Sequence, residues 1–187
     1  WAVVPLEWRR GGGGQRWVAW PCATFDDGTN GLVWVWPPRF TEHDQCSCLL
    51  AKAAGQDRVV VSESGHDMGL CAVGADHARG QFLFFTESHC WPEQDVLTLC
   101  IQAFEQHPDW AGLSCRSLPV SSNRLGAAEG AMYDADISYG MTVHPWRKIL
   151  DQCFVTRRNA YLRCGGFNPE FGHFAEWVLA ANYHAHG

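Results

Sequence analysis

Two periods of apolar and polar positions run along this chain, and the first half switches between them in a regular order. Short apolar runs at 1–6, 32–36, 58–62 and 81–86 predict four strands. Between the second and third, Thr41 is a helix N-cap with Asp44 three residues on. Cys46, Leu49, Leu50 and Ala53 then share one helical face. Residues 66–78 predict a second helix, with Leu70, Val73 and His77 on one side. Residues 15–22 predict a weak helix that Pro21 cuts short. After the fourth strand, Pro92 suits the first turn of a helix, with Glu93 and Asp95 complementing its dipole. Val96, Cys100 and Phe104, beside Leu97 and Ile101, form its buried face, and His107-Pro108 stops it. The second half is looser. It predicts a strand at 110–118, a short helix at 125–134, a loop with a turn at 136–146, a strand at 153–156 and a last helix at 173–184.

Strands alternating with helices imply an α/β domain with a mainly parallel central sheet flanked by helices. Ligands of such sheets sit at the carboxyl ends of the strands. Those ends are Pro5-Leu6-Glu7, Pro37-Pro38-Arg39, Glu63-Ser64 and Glu87-Ser88-His89. Gly11 to Gly14 form a flexible loop without a phosphate-loop pattern, since no Gly-Lys-Ser/Thr follows. No repeat or linker divides the chain, so residues 1–187 are expected to form one domain.

Composition narrows the function. Hydrophobic residues make up 47% and charged residues 18%, a globular balance. The net charge of -6 argues against a nucleic-acid surface, which needs a basic face. It leaves room for a small anion held by a few local arginines. No apolar run approaches the roughly 18 residues that span a bilayer, and no secretory signal is visible. The nine cysteines form no pair of CxxC motifs, and several fall at apolar periodic positions. Buried reduced thiols and a cytoplasmic location are therefore expected.

Two segments carry the candidate chemistry. Arg157-Arg158 is followed by Gly165-Gly166-Phe167 and then by Ala175-Glu176-Trp177-Val178-Leu179. Guanidinium forks match phosphate oxygens, although an exposed arginine pair is more often simply solvated. The glycines let backbone approach a ligand, or make a turn at positive φ. Glu176 opens an apolar helix, where a carboxylate can accept a proton or merely complement the dipole. Upstream, Gly74-Ala75-Asp76-His77-Ala78-Arg79-Gly80 leads into an apolar strand that runs on to Glu87 and His89. The zinc patterns HExxH and HxxEH are absent around Glu176, because Trp177 follows it.

Together these segments resemble the family 2 glycosyltransferases of the GT-A fold. The likeness is good over 74–100 and 153–187 and poor before Glu63. In that family an apolar strand ends in Asp-x-Asp, which holds a divalent cation on the diphosphate of a sugar nucleotide. Glu87 and His89 occupy those two positions here, and an imidazole suits Mn2+, Co2+ or Zn2+ better than Mg2+, so the resemblance implies a divalent cofactor, Mn2+ or Mg2+. Many members read Glu-Asp-Trp-x-Leu, so Glu176 falls on the catalytic base and Ala175 replaces the other acid. The resemblance implies an inverting transferase with a nucleotide-diphospho-sugar donor. Its acceptor would be a hydroxyl on a glycan, a lipid-linked molecule or another compound. Glu7, Arg157, Arg158, Gly165, Gly166 and Trp177 would contact donor or acceptor. It also allows peripheral association with the inner face of a membrane. The alternatives are a non-catalytic sugar-nucleotide or glycan-binding module on the same fold, and a metal-dependent hydrolase. The chain is short for this family and starts at Trp1 without methionine, so a fragment incomplete at one or both ends is expected.

Overall fold

The computed structural model describes residues 2–11, 20–25, 30–36, 58–61, 67–86, 90–91, 95–120, 123–147, 149 and 153–186. Among the described residues there are eight strands: β1 (Ala2–Gly11), β2 (Trp20–Phe25), β3 (Asn30–Trp36), β4 (Arg58–Val61), β5 (Phe82–Thr86), β6 (Cys90–Trp91), β7 (Gly112–Val120) and β8 (Cys153–Arg157). They join into one sheet in the order β4-β3-β2-β5-β8-β7-β1-β6. The helices are α1 (Asp67–His77), α2 (Val96–Gln106), α3 (Arg124–Val143), α4 (Arg158–Arg163) and α5 (Ala175–Ala185). The helix expected from Thr41 lies outside the described residues. No helix among them is long and apolar enough to cross a membrane.

Sheet pairing departs from the mainly parallel arrangement expected. β1 with β7 and β3 with β4 are parallel. The pairs β1–β6, β2–β3, β2–β5, β5–β8 and β7–β8 are antiparallel. One cause is local. The segment read as a helix cut short at Pro21 ends in β2, which pairs with β3 from Trp20↔Val35 to Phe25↔Asn30. Pro21 has no N–H to give, and the β2–β5 ladder starts only after it, at Cys22↔Phe85. The second cause is long-range, because β8 enters between β5 and β7 antiparallel to both.

Strand alternation builds two cores, one on each face of the sheet. Leu83 and Phe85 of β5 and Phe154 of β8 share a cluster with Met68, Cys71 and Ala75 of α1, Tyr161 of α4, and Leu179 and Tyr183 of α5. Their neighbours Phe82, Phe84, Cys153 and Val155 point the other way and pack with Val96, Cys100 and Phe104 of α2. This is the period-two pattern of a strand buried on both faces. Cys71, Cys90, Cys100, Cys115, Cys153 and Cys164 are buried thiols outside any disulfide. Cys100 and Cys115 sit with sulfurs 3.9 Å apart. Burial pushes the Cys153 and Cys164 thiols up, so these sulfurs behave as packing atoms rather than nucleophiles.

The second half holds one further departure. A single helix, α3, covers both the short helix expected at 125–134 and most of the loop expected at 136–146. Asn123 caps it by accepting from the Gly126 N–H at 2.8 Å. Gly130 and Ile137, seven residues apart, are its buried face. No proline interrupts it before Pro145. Arg116 of β7 pairs with Asp134 and ties the helix to the sheet.

Candidate functional site

The β5–β8 ladder sets the frame for every candidate side chain. Phe82 pairs with Arg157 at one end and Thr86 with Cys153 at the other. Four residues of strand separate those ends, about 13 Å. Glu87 and His89 follow Thr86 in sequence and lie outside the described residues. Arg157 stands at the opposite end of the ladder.

Arg157 is already engaged there. Its Nε donates to the Trp110 carbonyl at 2.9 Å, and an Nη donates to the Phe104 carbonyl at 3.0 Å. The guanidinium lies over the Phe82 and Phe104 rings, with its carbon 5.5 and 4.9 Å from their centroids. Phe104 belongs to the last turn of α2, where carbonyls lack helical partners and favour a cation. Arg157 thus joins the end of α2 to β8. Arg158 starts α4, where its backbone N–H donates to the Gln81 carbonyl at 2.8 Å. Its Nε is buried without a hydrogen-bond partner among the described residues. The pair that invited a phosphate reading thus sits about 13 Å along the strand from the residue preceding Glu87. Arg157→Lys is expected to lower stability by about 1–3 kcal/mol, the scale for hydrogen bonds made by a charged group, with nucleotide affinity unchanged. Urea melts and nucleotide titrations of the variant check both halves of that statement.

The double glycine closes α4. The Gly166 N–H donates to the Tyr161 carbonyl at 3.0 Å and the Gly165 N–H to the Leu162 carbonyl at 3.2 Å. With Cys164 as C-cap, this is the Schellman pattern, and it requires left-handed backbone after the cap. Gly165 and Gly166 have φ of 85° and 61°. A Cβ on Gly166 would lie 2.7 Å from the Tyr161 ring. The Tyr161 hydroxyl accepts from the Phe167 N–H at 2.9 Å, and Asn182 Nδ2 donates to the Cys164 carbonyl at 2.9 Å. The turn is therefore determined by its own packing. It also lines one wall of a cavity of about 500 Å3 whose other wall is α1, with Asp76 as its carboxylate. Asp76 lies in the Gly74–Gly80 stretch, and spacing alone gives it no role, because the cavity joins residues of α1 to a turn about 90 residues later in the chain.

Beyond the glycines the chain returns to the other end of the ladder. The Phe167 ring packs edge-on against Phe85, with centroids 5.1 Å apart, and against Phe154 at 6.1 Å. Those two residues pair next to Thr86 and Cys153. Asn168 then accepts from the Glu170 N–H and starts a 3-10 segment, Pro169–Phe174, which kinks at Gly172 (φ 53°, ψ -132°) and feeds α5. Glu176 lies half-buried in the first turn of α5, where the positive end of the helix dipole favours a carboxylate. Ala175 beside it is in the core, 1% exposed, so no acid would fit at that position without burying its charge. Trp177 and Phe174 are exposed and meet edge to face at 6.4 Å. The far end of α5 is fixed by Tyr183, whose hydroxyl lies 2.7 Å from Thr156 Oγ1. Thr156 Oγ1 also lies 2.9 Å from the Ala111 carbonyl, so both hydroxyls belong to one buried network in which Tyr183 keeps its phenolic proton. Burial raises the Tyr183 phenol above its ordinary value, which keeps that proton in place.

Glu7 lies inside β1 rather than at its end. The register of β1 against β7 shifts between Val4 and Trp8, so the residues between them face a single Arg116 on the partner strand. Such shifts re-aim strands beside sites, and the strand continues to Gly11. Among the described residues, no group of three or more His, Cys, Asp or Glu side chains could hold a metal ion. The structure thus brings Gly166, Phe167 and the approach to α5 toward the Thr86 end of the ladder and leaves Arg157 at the other. No family model, no curated protein and no solved structure matches this chain.

Proposed function

We propose that this chain is a GT-A-like glycosyltransferase domain. It would transfer a sugar from a nucleotide diphosphate donor to an acceptor hydroxyl with inversion. The observation that carries the reading is Glu176 in the first turn of α5. A buried Ala175 anchors it, and Trp177 and Phe174 are exposed beside it. A half-buried carboxylate next to exposed aromatic rings is a reasonable place for a base, because rings pack on the apolar faces of sugars while the carboxylate takes a proton.

Glu176 would take the acceptor proton as that oxygen attacks the anomeric carbon and the bond to the nucleotide diphosphate breaks. Phe174 and Trp177 would orient the acceptor. Gly165 and Gly166 would hold the shape of the neighbouring turn rather than touch phosphate, and Arg157 would stay outside the reaction. β5 ends at Thr86, so Glu87 and His89 follow a buried strand in sequence, and one carboxylate with one imidazole is a donor set that suits a divalent cation softer than Mg2+, such as Mn2+, Co2+ or Zn2+. A divalent cation held by Glu87 and His89 would supply charge that neutralises the leaving diphosphate.

The alternative of a non-catalytic sugar-nucleotide or glycan-binding module is favoured by one observation, the structural engagement of Arg157. A panel of nucleotide sugars, assayed for transfer and hydrolysis with Mn2+ and with Mg2+ beside direct binding, separates the two. Turnover that depends on Mn2+ is expected. Binding without turnover under either metal makes the chain a binding module, and metal-dependent hydrolysis of substrates lacking a nucleotide would make it a hydrolase.

A further inference from the structure

α3 presents an apolar seam that the described residues leave exposed. Leu125, Met132 and Tyr139 are spaced by seven residues and are 81%, 74% and 70% exposed. Ala128 and Ala135, three residues after the first two, are exposed as well. This is the a/d pattern of a helix–helix seam, sustained over Leu125 to Tyr139. The residues that do face the domain, Gly130 and Ile137, come five positions after Leu125 and Met132. At about 100° per residue they lie almost opposite the seam. A second helix can therefore lie along the seam without meeting the described residues of the domain.

We infer that α3 is a homodimer contact, in which two copies of this chain pair their α3 helices in parallel about a two-fold axis. Charge selects both partner and direction. Arg124 flanks the first seam residue and Glu129 lies five positions on, both exposed. In a parallel pair a residue before an a position faces the residue five further on in the other helix, so Arg124 meets Glu129 of the partner subunit twice, once per copy. An antiparallel pair centred on Met132 places Arg124 of one copy about 16 Å along the axis from Glu129 of the partner subunit, at 1.5 Å per residue, so that ion pair is lost. Arg124 also stands in the first turn of α3, where a cation opposes the helix dipole unless an anion is brought to it. The partner subunit's Glu129 provides that anion. The seam is roughly 20–25 Å long at 1.5 Å per residue, a single helix face well below the area of a standard interface. The dimer is accordingly a weak one, in rapid exchange at micromolar protein.

Sedimentation equilibrium of the 187-residue chain, up to about 1 mM, tests this. A concentration-dependent dimer is expected, weakened at least ten-fold by Met132→Glu, with Tyr139→Lys as a second seam variant should the first disturb folding. Arg124→Glu and Glu129→Arg are each expected to weaken it about three-fold or more, and the double swap to restore it within about two-fold, since the pair is then reversed but complementary. Circular dichroism melts of each variant establish that the fold is kept. A chain that stays monomeric at about 1 mM overturns the proposal, as does a dimer indifferent to Met132→Glu and Tyr139→Lys. A double swap that fails to restore association overturns the parallel pairing. Binding of monomers to phosphatidylcholine–phosphatidylserine vesicles through the same seam residues, without dimer, would make α3 a membrane-surface helix and also overturn it.

Discussion

Glu176→Gln is expected to lower the transfer rate by about 10²-fold or more while leaving nucleotide-sugar binding near its parent value. Losing a positioned acid–base group has that scale. Glutamine keeps the side-chain length and the half-buried position in the first turn of α5 but cannot accept the acceptor's proton. Losing the favourable dipole interaction costs only about 0.3–1 kcal/mol, so the fold survives. Glu176→Asp retracts the carboxylate by one methylene and is expected to fall between the two. The decisive readout is initial rate at saturating donor and acceptor, beside donor affinity by titration. Near-parent turnover in Glu176→Gln would remove Glu176 from the mechanism and leave the binding-module reading in its place.

Gly166→Ala has the largest expected effect on stability. The backbone there is left-handed, which costs an L-residue about 1–2 kcal/mol. The new methyl group would also lie 2.7 Å from the Tyr161 ring, 3% exposed in the core. Tyr161 cannot step aside without releasing the Phe167 N–H from its hydroxyl, a loss of about 1–3 kcal/mol for a buried donor. The sum, about 2–5 kcal/mol, corresponds to a fall in Tm of roughly 4–20 °C for a domain of this size. Gly165→Ala is the control. It shares the positive φ, but the nearest atom to its Cβ is Asn182 Nδ2 at 4.0 Å, so only the backbone cost of about 1–2 kcal/mol remains. Urea melts of the two variants should rank them in that order with unchanged m-values. Equal stability of Gly166→Ala and the parent would mean that the turn is not held by Tyr161, and that the glycines are there for a ligand.

The contrast between these glycines and Arg157 shows how far sequence patterns go. A double glycine before an aromatic residue has two causes, a turn at positive φ or close approach of a ligand, and both leave the same letters. The hydrogen bonds from Gly165 and Gly166 back into α4 distinguish them. Arginine after an apolar strand is equally ambiguous, since a guanidinium suits phosphate oxygens and carbonyls at a helix end alike. For Arg157 the partner is the Phe104 carbonyl, 53 residues away in sequence, and no local pattern encodes that distance. The proposed role of Glu176 rests instead on a local likeness, its neighbours Trp177 and Leu179, and calls on no contact remote in sequence.

Local periodicity determined the elements wherever apolar spacing was unbroken. The run at 81–86 is β5, the spacing of Val96, Cys100 and Phe104 is α2, and the run at 153–156 is β8. The β2–β3 hairpin was also legible. Asp26-Asp27-Gly28-Thr29 between two apolar runs is a turn signal, and reading Pro21 as the end of a helix hid it. The extent of α3 was not legible, because Ser138, Tyr139 and Gly140 are poor helix formers and the burial of Ile137, which favours the helix past Asp136, is a tertiary contact. Strand order and direction belong to the tertiary structure alone. A strand records in its side chains which faces are buried, but its backbone hydrogen-bonding groups are the same in every residue. Nothing in the letters of β8 says that it enters between β5 and β7 antiparallel to both, and that choice places Arg157 and the residue before Glu87 at opposite ends of one ladder.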